Sequence, residues 1–159
     1  MNAFPSWLPS LISLNPWTQK TFEKLYEVFK SDFKINPPVY EGQQVWTFPE
    51  MKNGKEVIFW HLTHREDGET GERLPDFRRA ERLPWIKAII ENAQSTDILV
   101  WDYKEGNGAL NTYLWLKDYD FLVLMKKYPD GSRRLLTSFY IDYPNYRRKL
   151  EKKYAKRIK

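Results

Sequence analysis

Apolar side chains recur every three or four residues between Phe22 and Phe33, with charged side chains at the positions between them. This spacing predicts an amphipathic helix from Pro16 to Phe33. We expect Asn15 to cap this helix and Pro16 to take its first position, where a helix needs no amide hydrogen. Residues 1–14 mix proline with apolar side chains, so we expect them to form an irregular arm over the core.

After this helix the predicted elements become shorter. Gln44–Phe48 is a short strand candidate, and the Asn-Gly pair at 53–54 is typical of a two-residue hairpin turn. Branched and aromatic residues over Val57–Thr63 predict a second strand. On an ideal strand His61 and His64 would point to opposite faces. The sequence therefore predicts that they are poor joint metal ligands and that one of them at most is catalytic.

A helical piece follows from Leu74 to Asn92, interrupted at Pro84, and after Asp97 the period changes to two. Four strands joined by short polar turns are predicted, and such strands form an antiparallel meander. Their expected ranges are Ile98–Tyr103, Tyr113–Leu116, Phe121–Tyr128 and Leu135–Ile141. A last helix is predicted from Pro144 onward.

These elements predict an α+β fold, with N-terminal helices, an antiparallel four-stranded sheet and a basic C-terminal helix. The 159 residues fit one domain. Within it we distinguish an arm, helix and hairpin over 1–55, a core over 56–146 and the basic helix over 147–159.

Composition narrows the class of protein. The chain is 42% hydrophobic and 16% aromatic, has no cysteine, and contains no apolar run of the ~20 residues that a membrane span needs. We therefore expect a cytoplasmic protein with no membrane partner and no thiolate metal site. The net charge is +5, but residues 144–159 hold eight basic residues and one acidic residue, a balance of +7. Such a concentrated field attracts polyanions, although a solvated helix that aids solubility would look the same.

Both histidines lie close in sequence to an arginine cluster, Arg78, Arg79 and Arg82. Histidine titrates near neutral pH, and arginine holds phosphate through a planar fork of donors. A histidine beside such an arginine is sufficient to cleave RNA without a metal. The alternative is that the histidines are ordinary strand residues and the arginines a solvated helix face.

Three segments together resemble the barnase–EndoU–colicin–RelE superfamily of metal-independent ribonucleases, in its phage-encoded and polymorphic-toxin branches. They are FWHLTHRE at 59–66, RLPDFRRAERLPWI at 73–86 and RRLLTSFYIDYPN at 133–145. The resemblance implies RNA as substrate, no cofactor, and a cognate antitoxin or immunity protein as a partner. It also implies a catalytic set drawn from a histidine, a basic residue and late hydroxyls: His61 or His64, Arg78 or Arg82, Thr137 and Tyr140. For phosphate binding outside the site, the basic helix offers Arg147, Arg148 and Lys152.

Two other functions fit the sequence. Pro75-Asp76 followed by Asp102-Tyr103-Lys104 spells the pattern of PD-(D/E)xK metal-dependent nucleases, in which carboxylates hold Mg²⁺. However, Asp76 falls where a helix is predicted to begin, and a carboxylate there has a natural role at the helix N-terminus. The third function is non-catalytic binding of RNA or of a host factor, as a phage protein would need.

Overall fold

The computed structural model of the protein describes residues 4–159. The helices, in chain order, are α1 (Gln19–Lys30), continued by a π-helical turn (Ser31–Ile35), α2 (Val57–Thr63), α3 (Phe77–Ala80), α4 (Leu83–Glu91) and α5 (Pro144–Ala155). The strands are β1 (Val39–Tyr40), β2 (Gln43–Gln44), β3 (Trp46–Thr47), β4 (Met51–Lys52), β5 (Lys55–Glu56), β6 (His64–Glu66), β7 (Arg73–Pro75), β8 (Ile98–Lys104), β9 (Leu110–Leu116), β10 (Phe121–Lys127) and β11 (Arg133–Tyr140).

The α+β class is confirmed, and so is the antiparallel meander of β8, β9, β10 and β11. Within residues 4–159 the main sheet nevertheless has five strands rather than four, in the order β3-β11-β10-β9-β8. The additional strand, β3, runs parallel to β11 and pairs only with Arg134 and Leu135. The rest of β11, from Leu136 to Tyr140, has no strand partner on that side within the described residues, and helices α2 and α3 pack against β11.

Both faces of the sheet are covered. Leu114, Phe121 and Val123 lie on one face, in a core shared with α1, α2 and α4. Trp101 and Trp115 lie on the other face, in a second core closed by α5. The sheet is thus the middle of three layers. Among residues 4–159, no helix is both long enough and apolar enough to span a membrane.

The predicted strand over Val57–Thr63 is wrong, because this segment is helix α2. Ile58, Phe59 and Leu62 are buried, a spacing that places them on one helical face against the core. The hydroxyl of Thr63 donates to the Phe59 carbonyl one turn earlier, at 2.9 Å. A buried apolar run of seven residues fits a strand or a helix equally well, so periodicity could not separate them.

The first predicted helix is confirmed, but its start is wrong. Helix α1 begins at Gln19, and its N-cap is Thr18, whose side chain accepts from the amide of Thr21 at 3.2 Å. The hydroxyl of Thr21 donates in turn to the Pro16 carbonyl at 2.7 Å, which holds Asn15-Pro16 in the turn before the helix. The Asn-Gly hairpin at 53–54 is confirmed between β4 and β5. The arm also packs as expected: Trp7, Leu8, Ile12 and Leu14 lie against the core.

Candidate functional site

His61 lies in the last turn of α2, half-buried, and its nearest polar neighbour is an arginine. The Nη2 of Arg73 lies 3.3 Å from His61 Nδ1. Because a guanidinium can only donate, Nδ1 must accept, and the ring proton of neutral His61 is assigned to Nε2.

His64 follows α2 as the first residue of β6, and only 6% of it is exposed. Its Nδ1 lies 2.8 Å from the hydroxyl oxygen of Thr63. Since that hydroxyl already donates to the Phe59 carbonyl, it accepts from His64, which assigns the proton of neutral His64 to Nδ1. Nε2 of His64 is therefore the nitrogen with a free lone pair.

Both histidines are held in the neutral form. Burial, followed by the charges of Arg73 and Arg79, lowers the pKa of His61 below its ordinary value. Burial, followed by Arg73, lowers the pKa of His64, and Asp76 opposes this effect. An imidazole that is neutral at neutral pH can accept a proton, as a general base must.

Arg73 contacts His61 and lines the basic cleft together with His64. It is the first residue of β7, which pairs with β6 in the register Glu66↔Arg73 and His64↔Pro75. The connecting turn is ordered around Asp67, whose carboxylate accepts from the Glu69 amide and the Thr70 hydroxyl. This two-stranded ribbon presents Arg73 beside the end of α2.

Two adjoining hollows open at His64, and both are bounded by Trp60. The first, here called the aromatic pocket, has a volume of about 240 Å³ and is walled by Trp17, Phe22, Trp60 and His64. The second, the basic cleft, has a volume of about 310 Å³ and is lined by Lys52, Asn53, Trp60, His64, Gly71 and Arg73. An apolar hollow beside a cationic one is suited to a ligand with a flat ring and a phosphate.

The walls of the aromatic pocket are fixed by packing. The ring centroids of Trp60, Phe22 and Trp17 lie 5.1, 5.8 and 6.5 Å from that of His64, in edge-to-face arrangements. The indole of Trp60 is held by a hydrogen bond from Nε1 to the Lys52 carbonyl at 2.9 Å. The pocket is therefore already formed in the absence of a ligand.

Arg79, from the cluster singled out in the sequence, has a structural position. Its Nη1 donates to the carbonyls of His61 and His64 at 2.7 and 3.0 Å, which satisfies the end of α2. Its Nε faces Asp76 at 3.6 Å. Asp76 is also the N-cap of α3, accepting from the Arg79 amide at 3.1 Å. The helix-start role expected for Asp76 is thus observed.

The structure does not bring Arg78 and Arg82 to a histidine. Both guanidiniums lie over the Tyr140 ring, at 5.0 and 4.6 Å from its centroid. Arg82 also pairs with Glu81 at 2.8 Å. Both side chains start from the short helix α3 and the turn after it, and these pack against β11.

The late hydroxyls separate as strand alternation requires. Tyr140 pairs opposite Phe121 on the face covered by α1 and α4, whereas Thr137 pairs opposite Leu124 on the α5 face. A bulge between Leu124 and Met125 does not bring the two hydroxyls together. Thr137 and Tyr140 therefore do not belong to one site.

The other predicted residues have partners of their own. The carboxylate of Asp102 accepts from the Thr112 hydroxyl at 2.7 Å and pairs with Lys127 at 2.8 Å, and Lys104 is exposed at the end of β8. No group of three or more His, Cys, Asp or Glu within residues 4–159 is placed to hold a metal ion.

On helix α5, the three residues predicted to bind phosphate differ in whether their charged groups already have partners in the protein. Arg147 is bound to Asp120 and to the Lys117 carbonyl, so its guanidinium faces the protein. Arg148 donates to the Asn145 side chain. Lys152 is exposed and makes no ion pair or side-chain hydrogen bond with the described part of the chain.

Sequence reasoning found both histidines but missed Arg73, Lys52 and the aromatic walls. Arg73 precedes the predicted arginine cluster by five residues, and its approach to His61 depends on the β6–β7 register. One signal was present: Glu66 and Arg73 flank a polar turn with two glycines, a pattern that favours a hairpin. Comparison with known proteins adds nothing to this geometry, since no family model, curated protein or solved structure matches the chain.

Proposed function

We propose that this protein is a metal-independent endoribonuclease whose site consists of His64, His61 and Arg73. The observation that carries the proposal is the approach of the Arg73 guanidinium to within 3.3 Å of His61, with His64 open to the same basic cleft. This keeps the class of function that the superfamily resemblance implies. It replaces Arg78 and Arg82 by Arg73.

The cleft offers a cation where the reaction develops negative charge. A phosphodiester bound beside Arg73 would receive hydrogen bonds from its guanidinium. These would stabilise the additional charge on the five-coordinate phosphorus of the transition state. His61, which does not line the cleft, would act by holding the Arg73 guanidinium in place through its Nδ1.

His64 would act as the base. Its Nε2 accepts the proton of the ribose 2′-hydroxyl, the 2′-oxygen bonds to phosphorus, and the bond from phosphorus to the 5′-oxygen breaks. The departing 5′-oxygen takes up the proton that His64 received, so the step is balanced. A positioned proton transfer of this kind accelerates a reaction about 10²–10⁴-fold.

The aromatic pocket gives a reason to expect RNA as the substrate. Bases of single-stranded nucleic acid stack on aromatic side chains, and the pocket presents Trp17, Phe22 and Trp60 directly beside His64. A base held there would place its own ribose near the imidazole. The 2′-hydroxyl that the reaction needs is absent from DNA.

The test is cleavage of a labelled single-stranded RNA in excess EDTA. We expect cleavage to persist, to yield 2′,3′-cyclic phosphate and 5′-hydroxyl ends, and to stop when the 2′-hydroxyls of the substrate are replaced by hydrogen. His64→Ala should reduce the rate by about 10²-fold or more. Arg73→Lys should reduce it at least about 10-fold, because lysine keeps the charge but loses the planar fork.

Lys24→Arg, an exchange between the same two residue types on the exposed face of α1, is the control and should leave cleavage unchanged. Cleavage that requires Mg²⁺ would instead favour the PD-(D/E)xK alternative. Binding of RNA with no cleavage would favour a non-catalytic protein. Full activity of both His64→Ala and His61→Ala would refute the histidine mechanism.

A further inference from the structure

A second cationic hollow, here called the edge groove, lies at the C-terminal end of β11, between α3 and the segment that leads into α5. It consists of two adjoining depressions of about 220 and 400 Å³. Arg65, Asp76 and Asp142 border both depressions, so the two are continuous. The proposed catalytic residues do not line it.

Two arginines in the edge groove are available to a ligand. Arg65 is exposed and makes no ion pair or side-chain hydrogen bond with the described residues. The side chain of Arg78 is 63% exposed, and its one ion pair is with Asp142 at 3.5 Å, where Asp142 is itself 48% exposed. Exposed pairs of this kind are weak. A phosphate with better geometry would displace Asp142 from Arg78.

Exposed aromatic side chains accompany these arginines. Phe77 is 50% exposed and Tyr143 is 71% exposed. Phe77 lines the depression of about 400 Å³, and Tyr143 lines the depression of about 220 Å³. Arginines interleaved with exposed rings are the surface that single-stranded nucleic acid recognises, because its phosphates and unstacked bases can both be reached.

The edge groove lies next to the aromatic pocket. The ring of Phe77 lies 5.3 Å from that of Trp17, which is a wall of that pocket. Arg65 directly follows His64 in β6, so the same ribbon borders both hollows. A strand with one base in the aromatic pocket would meet Phe77 and then Arg65 and Arg78 as it leaves.

We propose that the edge groove binds the single-stranded RNA that flanks the cleaved linkage, with phosphates on Arg65 and Arg78 and bases stacked on Phe77 and Tyr143. The assignment of this RNA as the strand that flanks the cleaved linkage rests on the proposed function. Its binding test is independent of cleavage. A duplex is disfavoured, because its bases are stacked inside and cannot reach the two rings.

The experiment measures binding of a fluorescein-labelled 12-nucleotide oligouridylate with 2′-O-methyl groups, which the proposed reaction cannot cleave. Fluorescence anisotropy gives the dissociation constant as a function of salt. Arg65→Gln and Arg78→Gln should each weaken binding about 5- to 10-fold and lower the log–log salt slope by about one. Tyr143→Ala should weaken binding at least about 5-fold through lost stacking.

Asp142→Asn gives a change in the opposite direction. Because the substitution removes the anion that competes for Arg78, binding should tighten about 2- to 5-fold. Lys24→Gln is the control for charge, since Lys24 is exposed on α1 and makes no ion pair with the described residues. It should bind like the native chain. All five substitutions are at exposed positions, and thermal unfolding followed by circular dichroism checks each fold.

The proposal would be overturned if Arg65→Gln, Arg78→Gln and Tyr143→Ala all bound with native affinity. Equal affinity for the corresponding duplex would also overturn it. The two proposals fail separately. If the edge groove binds the oligonucleotide but no RNA is cleaved, the groove proposal is kept and the ribonuclease proposal is rejected. If RNA is cleaved but the groove variants bind normally, the ribonuclease proposal is kept and the groove proposal is rejected.

Discussion

At the scale of single residues, Arg73 and Arg79 differ in what their guanidiniums already hold. Arg79 donates to two main-chain carbonyls through Nη1 and faces Asp76, which fixes its side chain at the end of α2, and it does not line the basic cleft. Among the described residues, Arg73 has only the His61 ring as a side-chain hydrogen-bond partner. An arginine that binds substrate must have free donors in the cleft, and Arg73 meets that condition beside the histidines.

We therefore expect Arg79→Met to act on stability. The substitution leaves the carbonyls of His61 and His64 without their donor at the end of α2, and should cost roughly 2–3 kcal/mol in the free energy of unfolding. Urea denaturation measures this loss. Arg148→Met on the exposed face of α5 is the comparison and should stay within about 0.5 kcal/mol. Equal stability of the two variants would contradict the structural role of Arg79.

Residue types alone could identify the histidines, because the chain has only two. They could not identify the arginine that joins them. Arg78 lies in α3 and Arg82 in the turn after it, and both guanidiniums lie over Tyr140. The position of Arg73 depends on the pairing of two three-residue strands, and such short strands carry almost no periodicity to read.

At the scale of elements, the meander, α5 and the β4–β5 hairpin were predictable, whereas α2 and the β6–β7 ribbon were not. The strands β8 to β11 have seven or eight residues each, are rich in apolar and aromatic side chains and are separated by polar turns. Helix α2 has seven residues and little polar face, so its helical form is decided by what it packs against. The parallel strand β3 has two residues and is defined only by its partner.

Helix α5 is attached through a narrow apolar stripe, and its centre is Leu150, which is 1% exposed. We expect Leu150→Ala to lower the free energy of unfolding by roughly 2–5 kcal/mol, because the cavity lies against Trp115 and Leu122 in the second core. Lys149→Ala, one residue earlier and exposed, should change it by less than about 0.5 kcal/mol. Chemical denaturation of both variants provides the measurement. A small effect of Leu150→Ala would mean that α5 is only loosely docked.

At the scale of the whole molecule, the two histidines link stability to pH. Their folded-state pKa values lie below the unfolded value of about 6.5, so the unfolded chain binds more protons between these values. Stability is therefore fully present above about pH 6.5 and is lost as the pH falls through the lowered pKa values. The free energy of unfolding should be smaller at pH 5.5 than at pH 7.5.

Urea titrations at these two pH values test this expectation, with His64→Gln as the variant. Glutamine cannot take up a proton, so the difference between the two pH values should shrink. Carboxylates with lowered pKa values, such as Asp102 and Glu105, titrate below this range and do not contribute. An unchanged pH dependence in His64→Gln would place the effect elsewhere.

The order of the three layers along the chain has a consequence for synthesis. Helices α1, α2 and α4 precede the sheet that they cover, and β11 ends only at Tyr140. As the polypeptide leaves the ribosome, Phe29, Leu62 and Ile86 emerge long before the strands that bury them. Their apolar faces stay accessible to water and to chaperones until β11, the last strand of the sheet, has emerged. The protein is therefore most prone to aggregation at the stage when its helices have been synthesised and its sheet has not.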